Sequence, residues 1–314
     1  MLCFDKLMIK TSINNISDIG DDFVANIKND VIISHRYKQE MPLLKIRLEH
    51  GHDELIIEFT SKLLGDDMIY LINQSNIRQC LDNINALGCC HLAVDAILNE
   101  AEVLRCDVTR DVLCSDISKI SNYVATHIRN NKKWVCKQYQ KNGIVLENVV
   151  STVRCKKRLT IYDKHKELLK SRNQDYLNGL SGKFAVEEFY KDKIRFELNL
   201  NSKEQIRKNL NVEETTLVKV LAACGNPILN ILDEVLCQPV SCEEVQGLSL
   251  RDYERLAFLR EHDNDLQKVE MKVRSLVSCN TSINKTMKPY RELLGRLNQN
   301  ISVISFPALL KEPA

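Results

Sequence analysis

Three segments far apart in the chain, residues 103–113, 154–163 and 193–200, contain runs that alternate between apolar and polar side chains. Successive side chains on a strand point to opposite faces, so each segment predicts a strand with one face for a core and one face free for chemistry. In VLRCDVTRD, Arg105, Asp107, Thr109 and Asp111 share a face and Leu104, Cys106 and Val108 take the other. In RLTIYDK, Leu159 and Ile161 oppose Arg158, Thr160, Tyr162 and Lys164. In KIRFELNL, Ile194, Phe196 and Leu198 are the core side, leaving Arg195, Glu197 and Asn199 outward. If the three strands share one sheet, their polar groups converge.

The remaining pattern predicts an α+β fold: a mainly antiparallel sheet with flanking helices, followed by a small helical unit. Strands are expected at 2–9, 31–36, 43–49, 54–59, 134–137, 145–149 and 154–163, with a hairpin turn at His50-Gly51-His52-Asp53. Ile77, Cys80, Leu81, Ile84 and Leu87 recur at helical spacing over 76–87, with Gly88 at the C′ position. Further helices are expected over 91–101 and 117–129, and over 213–236 with a bend or break at Gly225-Asn226-Pro227. Ser202 and Gln205 form a capping box ahead of Ile206 and Leu210. Helical periodicity resumes at 251–261 and 266–277, and 298–306 suggests a last strand. A polar run with Pro239 places the domain boundary near 238–245, giving a large unit over 1–238 and a helical one over 239–314.

Only 10 Gly and 6 Pro occur in 314 residues, which excludes a low-complexity linker, and no solenoid repeat is visible. No apolar run approaches the roughly 18 residues a membrane span needs, and Asp5 and Lys6 interrupt the first apolar stretch, unlike a signal peptide. A chain of this kind is expected to be a soluble protein of a reducing cytosol, without a membrane partner. Its twelve cysteines lack any C-x-x-C pair, so they read as reduced packing residues rather than a zinc or disulfide framework.

The net charge of +2 hides a segregation. Residues 126–210 carry 20 Lys/Arg against 9 Asp/Glu, a net +11, while the rest of the chain is at −9. A phosphate backbone suits such a block, and so does a solvated surface; charge alone does not choose.

A carboxylate cluster without cysteine or close histidine suits a hard cation, Mg²⁺ or Mn²⁺. Such an ion polarises a phosphodiester and orients an attacking hydroxyl. Tyr162 with Lys164 nearby supplies a hydroxyl and a cation to favour its phenolate. The bland alternatives are carboxylates paired with Arg105 and Arg195, and a tyrosine ring laid on a core edge.

The segments RLTIYDKHKELLKSRN at 158–173, VLRCDVTRD at 103–111 and IRFELNLNSKEQIRKNL at 194–210 resemble motifs of the filamentous-phage gene II (phage X type) replication initiators and their plasmid relatives, and they follow the family's order along the chain. The more distant staphylococcal-type rolling-circle plasmid initiators share the layout, and the similarity spans roughly residues 1–235. The resemblance implies a rolling-circle initiator that nicks and rejoins origin DNA through a 5′-phosphotyrosine on Tyr162, leaving a free 3′ hydroxyl to prime synthesis. It implies Asp107 and Glu197 as metal ligands, Asp111 or Glu58 completing the shell, and Lys164 and Arg195 on phosphate oxygens. Arg105, Lys156, Lys157 and Arg158 are the further DNA-contact candidates. Cys106 departs from the aliphatic expected there, and LIIEFTSKLLG around Glu58 is only loosely similar. Implied partners are single-stranded or supercoiled origin DNA and a host helicase and polymerase, since no Walker-type loop is present; a homodimer stays open.

Two other readings accompany this one: a non-catalytic DNA-binding replication regulator, and a mobilisation relaxase with the same chemistry. His50-Gly51-His52 mimics a two-histidine nuclease motif, but glycine at a turn fits an exposed loop better. NTSINKTMKPYRELLGRL at 280–297 offers a helix that either packs or touches DNA, with Pro289 limiting where it begins.

Overall fold

The computed structural model describes residues 2–40, 42–114, 116–128, 133–140, 143–150, 152, 156–236, 249–262, 266–276, 282–297 and 306–310. The first half runs β1 (Phe4–Ser12), β2 (Ile16–Ser17), β3 (Val24–Lys28), β4 (Val31–Gln39), β5 (Leu44–Glu49), β6 (Glu54–Thr60), α1 (Ile77–Ala86), β7 (His91–Leu92) and α2 (Val94–Glu100). The second runs β8 (Glu102–Leu113), α3 (Ile117–His127), β9 (Trp134–Tyr139), β10 (Gly143–Asn148), β11 (Arg158–Asp163), α4 (Lys164–Leu168), α5 (Ser171–Asn178), α6 (Lys183–Tyr190), β12 (Lys193–Leu200) and α7 (Lys203–Leu210). Helices α8 (Leu217–Leu221), α9 (Pro227–Val235), α10 (Leu250–Glu261), α11 (Leu266–Leu276), α12 (Ile283–Leu297) and α13 (Phe306–Leu309) follow.

Ten strands form one antiparallel sheet in the order β3-β4-β5-β6-β1-β8-β12-β11-β10-β9. Each half repeats one connection: a long strand, then a four-stranded meander whose last strand returns beside the first. β1 with β3–β6 is one such unit and β8 with β9–β12 the other, and β1 and β8 pair at the centre. The expected α+β architecture is therefore present, with a topological repeat that leaves no trace in the residues.

The alternation of side chains works as expected. Leu7, Ile9, Ile46, Ile57, Cys106, Val108, Phe196, Leu198, Leu159 and Ile161 are buried on one face beneath α1–α3 and α7–α9. Cys106 occupies an aliphatic's place in that core. The other face carries the polar rows. Over part of it lies a cap made of the 3₁₀ segment Ser61–Tyr70 and α4–α6, which pack through Met68, Leu168, Leu177, Val186 and Tyr190. Residues 164–192 are thus an insertion in the β11–β12 hairpin that folds back over the sheet.

The capping box is realised with one adjustment. Ser202 Oγ accepts from the Gln205 N–H at 3.3 Å, while Gln205 Oε1 accepts from Asn201 N–H at 2.7 Å. Gly88 has φ +73°, as a C′ glycine requires. The 50–53 hairpin turn is exposed, with His50 Nε2 2.8 Å from His35 Nδ1.

Several expectations differ from what is found. β3 is an unexpected strand, because VANIK places Asn and Lys among its apolar residues and sits on the sheet edge. The helix expected over 91–101 begins at Val94, since His91–Leu92 pairs with β2. The break expected at Gly225-Asn226-Pro227 is present, but the first helix, α8, is shorter than expected; Asn226 caps α9 through Leu229 N–H, with Pro227 at its first position. Pro289 lies inside α12 rather than limiting its start, so one backbone donor is absent from that helix. Phe306 begins α13 and, with Leu310, packs into the main core. The boundary expected at 238–245, the strand start at Arg154 and residues 298–305 lie outside the described residues. Helices α10–α12 share a cluster of their own, Leu256, Leu259, Val269, Val273, Met287, Leu293 and Leu294. Among the described residues no helix is long and apolar enough to cross a membrane, and the described cysteines are free.

Candidate active site

The central strands align three polar rows on the face opposite the helices. Asp107, Asn199 and Arg158 stand opposite one another on β8, β12 and β11; Thr109, Glu197 and Thr160 form the next row; Asp111, Arg195 and Tyr162 the third. Antiparallel partners share a face, so this register alone brings together groups that are distant in sequence.

Tyr162 Oη donates to Glu197 Oε2 at 3.1 Å. Asn199 Nδ2 donates to Asp107 Oδ1 at 2.7 Å and reaches Glu197 Oε1 at 3.4 Å, so its amide ties the two carboxylates together. Burial pushes the Tyr162 phenol well above its ordinary value, and the charge of Glu197 adds to this. Burial likewise pushes Glu197 up to about 7, helped by the nearby Asp107 and Asp5 charges. Asp107 is raised for the same reason, against the pull of Lys6 and Asn199. Both are carboxylates whose charged form is disfavoured mainly by burial. Gly143, opposite Tyr162, has to be glycine: a Cβ there would stand 2.2 Å from Ile161 O and 2.8 Å from the Tyr162 Cα.

A cavity of about 390 Å³ opens on this face, lined among others by Asp107, Glu197, Asn199, Lys6, Arg158 and Tyr139. The Tyr139 ring lies 5.5 Å from that of Tyr162, with the Arg158 guanidinium 5.8 Å from the Tyr139 ring centre. Tyr162 itself is only 5% exposed, behind Tyr139.

Beneath the cap is a second polar cluster. Arg195, expected outward, is fully buried: its Nε and Nη2 donate to Asp111 Oδ1 and Oδ2, both at 2.7 Å, and its Nη1 to Asp5 Oδ1 at 2.7 Å. Alternation placed it on the correct face, and the cap residue Tyr190 covers it, accepting from Nη2 at 3.3 Å. A β-bulge between Phe4 and Lys6 inserts Asp5 and turns its carboxylate to this arginine. Burial would push Asp5 up, yet Arg195 and Lys164 outweigh it and hold its carboxyl well below the usual range. Lys164 lies at the start of α4, buried, 5.6 Å from the Tyr190 ring centre, and burial lowers its ammonium.

The implied third ligands are therefore engaged elsewhere. Both oxygens of Asp111 serve Arg195. Glu58 stands between Lys45 at 3.2 Å and Lys6 at 3.7 Å, and Lys6 also reaches Asp107 at 3.3 Å. Among the described residues no three His, Cys, Asp or Glu side chains are grouped to hold a metal ion. What remains is a donor pair, Asp107 and Glu197, tied together by Asn199, whose hard oxygens are the donor type that Mg²⁺ or Mn²⁺ takes. Of the DNA-contact candidates, Lys156 and Arg158 line the cavity and Arg105 is exposed on the same face. Lys157 turns away to Glu234 at 3.5 Å. Sequence reasoning assigns no role to Lys6, Asn199 or Tyr139; the β1–β8 register puts Lys6 opposite Asp107, which only pairing discloses.

No family model matches the chain, and no curated protein matches it. Among solved structures, one similar chain is "Methanococcus jannaschii TBP", at 9% identity and a TM-score of 0.27, covering 70% of this chain and 98% of that one. A likeness this slight informs neither fold nor function.

Proposed function

We propose that the chain nicks and rejoins DNA by transesterification, with Tyr162 as nucleophile. The observation that carries the reading is the Tyr162–Glu197 hydrogen bond at 3.1 Å, joined through Asn199 to Asp107 beside a cavity rimmed by Lys6, Lys156 and Arg158. Tyr162 Oη attacks a phosphodiester phosphorus while its proton passes to Glu197; the bond from phosphorus to the 3′ oxygen breaks and Glu197 returns that proton to the departing oxygen, leaving a 5′-phosphotyrosine and a 3′ hydroxyl. The rim cations hold the non-bridging oxygens. Asp107 and Glu197 would hold a divalent ion, which would supply charge stabilisation to the phosphoryl oxygens. Attack by a 3′ hydroxyl on the phosphotyrosine reverses the reaction without ATP.

The rolling-circle initiators that these motifs resemble give the biological setting: origin DNA as substrate, with helicase and polymerase from the host. Incubating the chain with Mn²⁺ and single-stranded DNA from its own replicon should give a protein–DNA adduct that survives a denaturing gel, and Tyr162→Phe should abolish it. A second reading, a DNA-binding regulator without chemistry, is favoured by the burial of the Tyr162 hydroxyl behind Tyr139. Binding by both proteins with an adduct from neither would select that reading.

A further inference from the structure

On the same open face, away from the cavity, two pairs of like charges stand directly opposite each other on neighbouring strands. Arg36 on β4 faces Arg47 on β5, and Lys38 faces Lys45. Like charges in direct cross-strand register repel and weaken a sheet. The two pairs put four Lys/Arg against two Glu on the hairpin over 31–49, within a flank, residues 1–125, that carries 12 Lys/Arg against 19 Asp/Glu. Arg36 and Lys38 are exposed, and Lys45 and Arg47 keep 43% and 45% of their side-chain surface.

The block is continuous with the active site. Lys45 reaches Glu58 at 3.2 Å, Glu58 reaches Lys6 at 3.7 Å, and Lys6 reaches Asp107 at 3.3 Å. Half-buried Lys10 on β1 and exposed Arg105 on β8 lie on the same face. Three of the four cations carry exposed or half-exposed ion pairs, Lys38 with Glu40, Lys45 with Glu58 and Arg47 with Glu49 at 2.9 Å, and Lys10 contacts Glu54 at 2.8 Å, with Glu49 and Glu54 directly opposite each other. Such solvent-accessible pairs contribute little and exchange readily for a phosphate.

We infer that the open face of β4 and β5 is a docking surface for the backbone of duplex DNA flanking the strand cut at Tyr162. The inference rests on the DNA-processing reading for the identity of the polyanion. Duplex is favoured over single strand by the chemistry of the patch. Unpaired bases are held on aromatic rings, and the nearby aromatic, Tyr37, points to the opposite face and stacks on Phe23 at 5.3 Å. Cations without a stacking platform grip phosphates and not bases. From Tyr162 on β11 to β4 is six strand spacings, roughly 28 Å, over which a duplex advances about eight base pairs.

The test is duplex binding by the full chain, measured across a salt series by anisotropy, for wild type and for Arg36→Glu with Lys38→Glu. These reversals convert both repulsive pairs into attractive ones, so the thermal midpoint should stay level or rise while affinity falls. Affinity should drop about ten-fold or more, and the slope of log affinity against log salt should become shallower by about two. Should the reversed chain fold poorly, Arg36→Gln with Lys38→Gln serves instead, with a smaller drop expected. Wild-type affinity and slope in a folded variant would overturn the proposal, as would a loss confined to single-stranded DNA. Adduct formation at Tyr162 is read separately, so failure of the nicking chemistry and failure of this surface give different results.

Discussion

Asn199 donates one amide group to two carboxylates, Asp107 at 2.7 Å and Glu197 at 3.4 Å, and so fixes the distance between the two groups on which the chemistry depends. Tyr162 then hangs from the far oxygen of Glu197. The site is a chain of contacts across three adjacent strands, and each link has a separate consequence.

In the proposed reaction Glu197 takes the proton of Tyr162. Glu197→Gln keeps a hydrogen-bond acceptor for the phenol but removes the base and one charged donor for the ion. Adduct formation with Mn²⁺ should fall by about 10²–10⁴-fold, measured as an initial rate on denaturing gels. A rate within a few-fold of wild type would show that another group accepts the proton.

The same residue sets a pH dependence of stability in chelator-treated protein. Burial raises its carboxyl to about 7 in the folded state, from an ordinary 4.5, so the folded state binds more protons across that interval. Its contribution is fully present below about pH 4.5 and is lost as pH rises through 7. Asp107, also raised, acts in the same direction. Denaturant midpoints of Glu197→Gln should therefore gain on wild type between about pH 5 and pH 8, by roughly 1–3 kcal/mol. A constant difference between the two proteins over that range would contradict the assignment.

Arg195 is the buried hub of Asp111, Asp5 and Tyr190. Arg195→Met leaves the buried Asp111 carboxylate uncompensated and removes one partner of the half-buried Asp5, and should cost roughly 3–5 kcal/mol in chemical denaturation. Arg195→Lys cannot reproduce the two-pronged contact with Asp111 and should recover only part of the loss. If Arg195→Met were neutral, the cluster would not hold the cap to the sheet.

Gly143 gives room to Tyr162. Gly143→Ala forces a methyl to within 2.2 Å of the Ile161 carbonyl, so β10 and β11 must part. A loss of about 1–3 kcal/mol is expected, together with slower adduct formation because Tyr162 shifts from Glu197. Unchanged melting would mean that the hairpin absorbs the methyl without strain.

The strands of the site are legible in the sequence because alternation is a local property. Arg105, Asp107, Thr109 and Asp111 share a face because of backbone geometry alone, as do Tyr162 and Thr160, or Glu197 and Asn199. What lies over a face is not local. Arg195 has the same periodicity as Glu197, yet one is sealed under Tyr190 and the other borders the cavity, because residues 164–190 fold back across one end of the sheet. The roles expected for Asp111 and Glu58 are likewise decided by partners on other strands: Arg195 in one case, Lys6 and Lys45 in the other. The linear charge map points to 126–210 and passes over β4 and β5, since pairing between strands, not sequence, stacks Arg36 on Arg47. Short edge strand β3 and the doubled meander leave no periodic signal at all.

The most direct test of the central claim is to isolate the adduct formed with Mn²⁺ and a single-stranded oligonucleotide, digest it with trypsin and nuclease, and identify the modified peptide by mass spectrometry. Tyrosine transesterification at this site predicts a nucleotide on the peptide carrying Tyr162. A nucleotide on the peptide carrying Tyr139, which lines the cavity, would contradict it, and so would DNA that is bound but never joined.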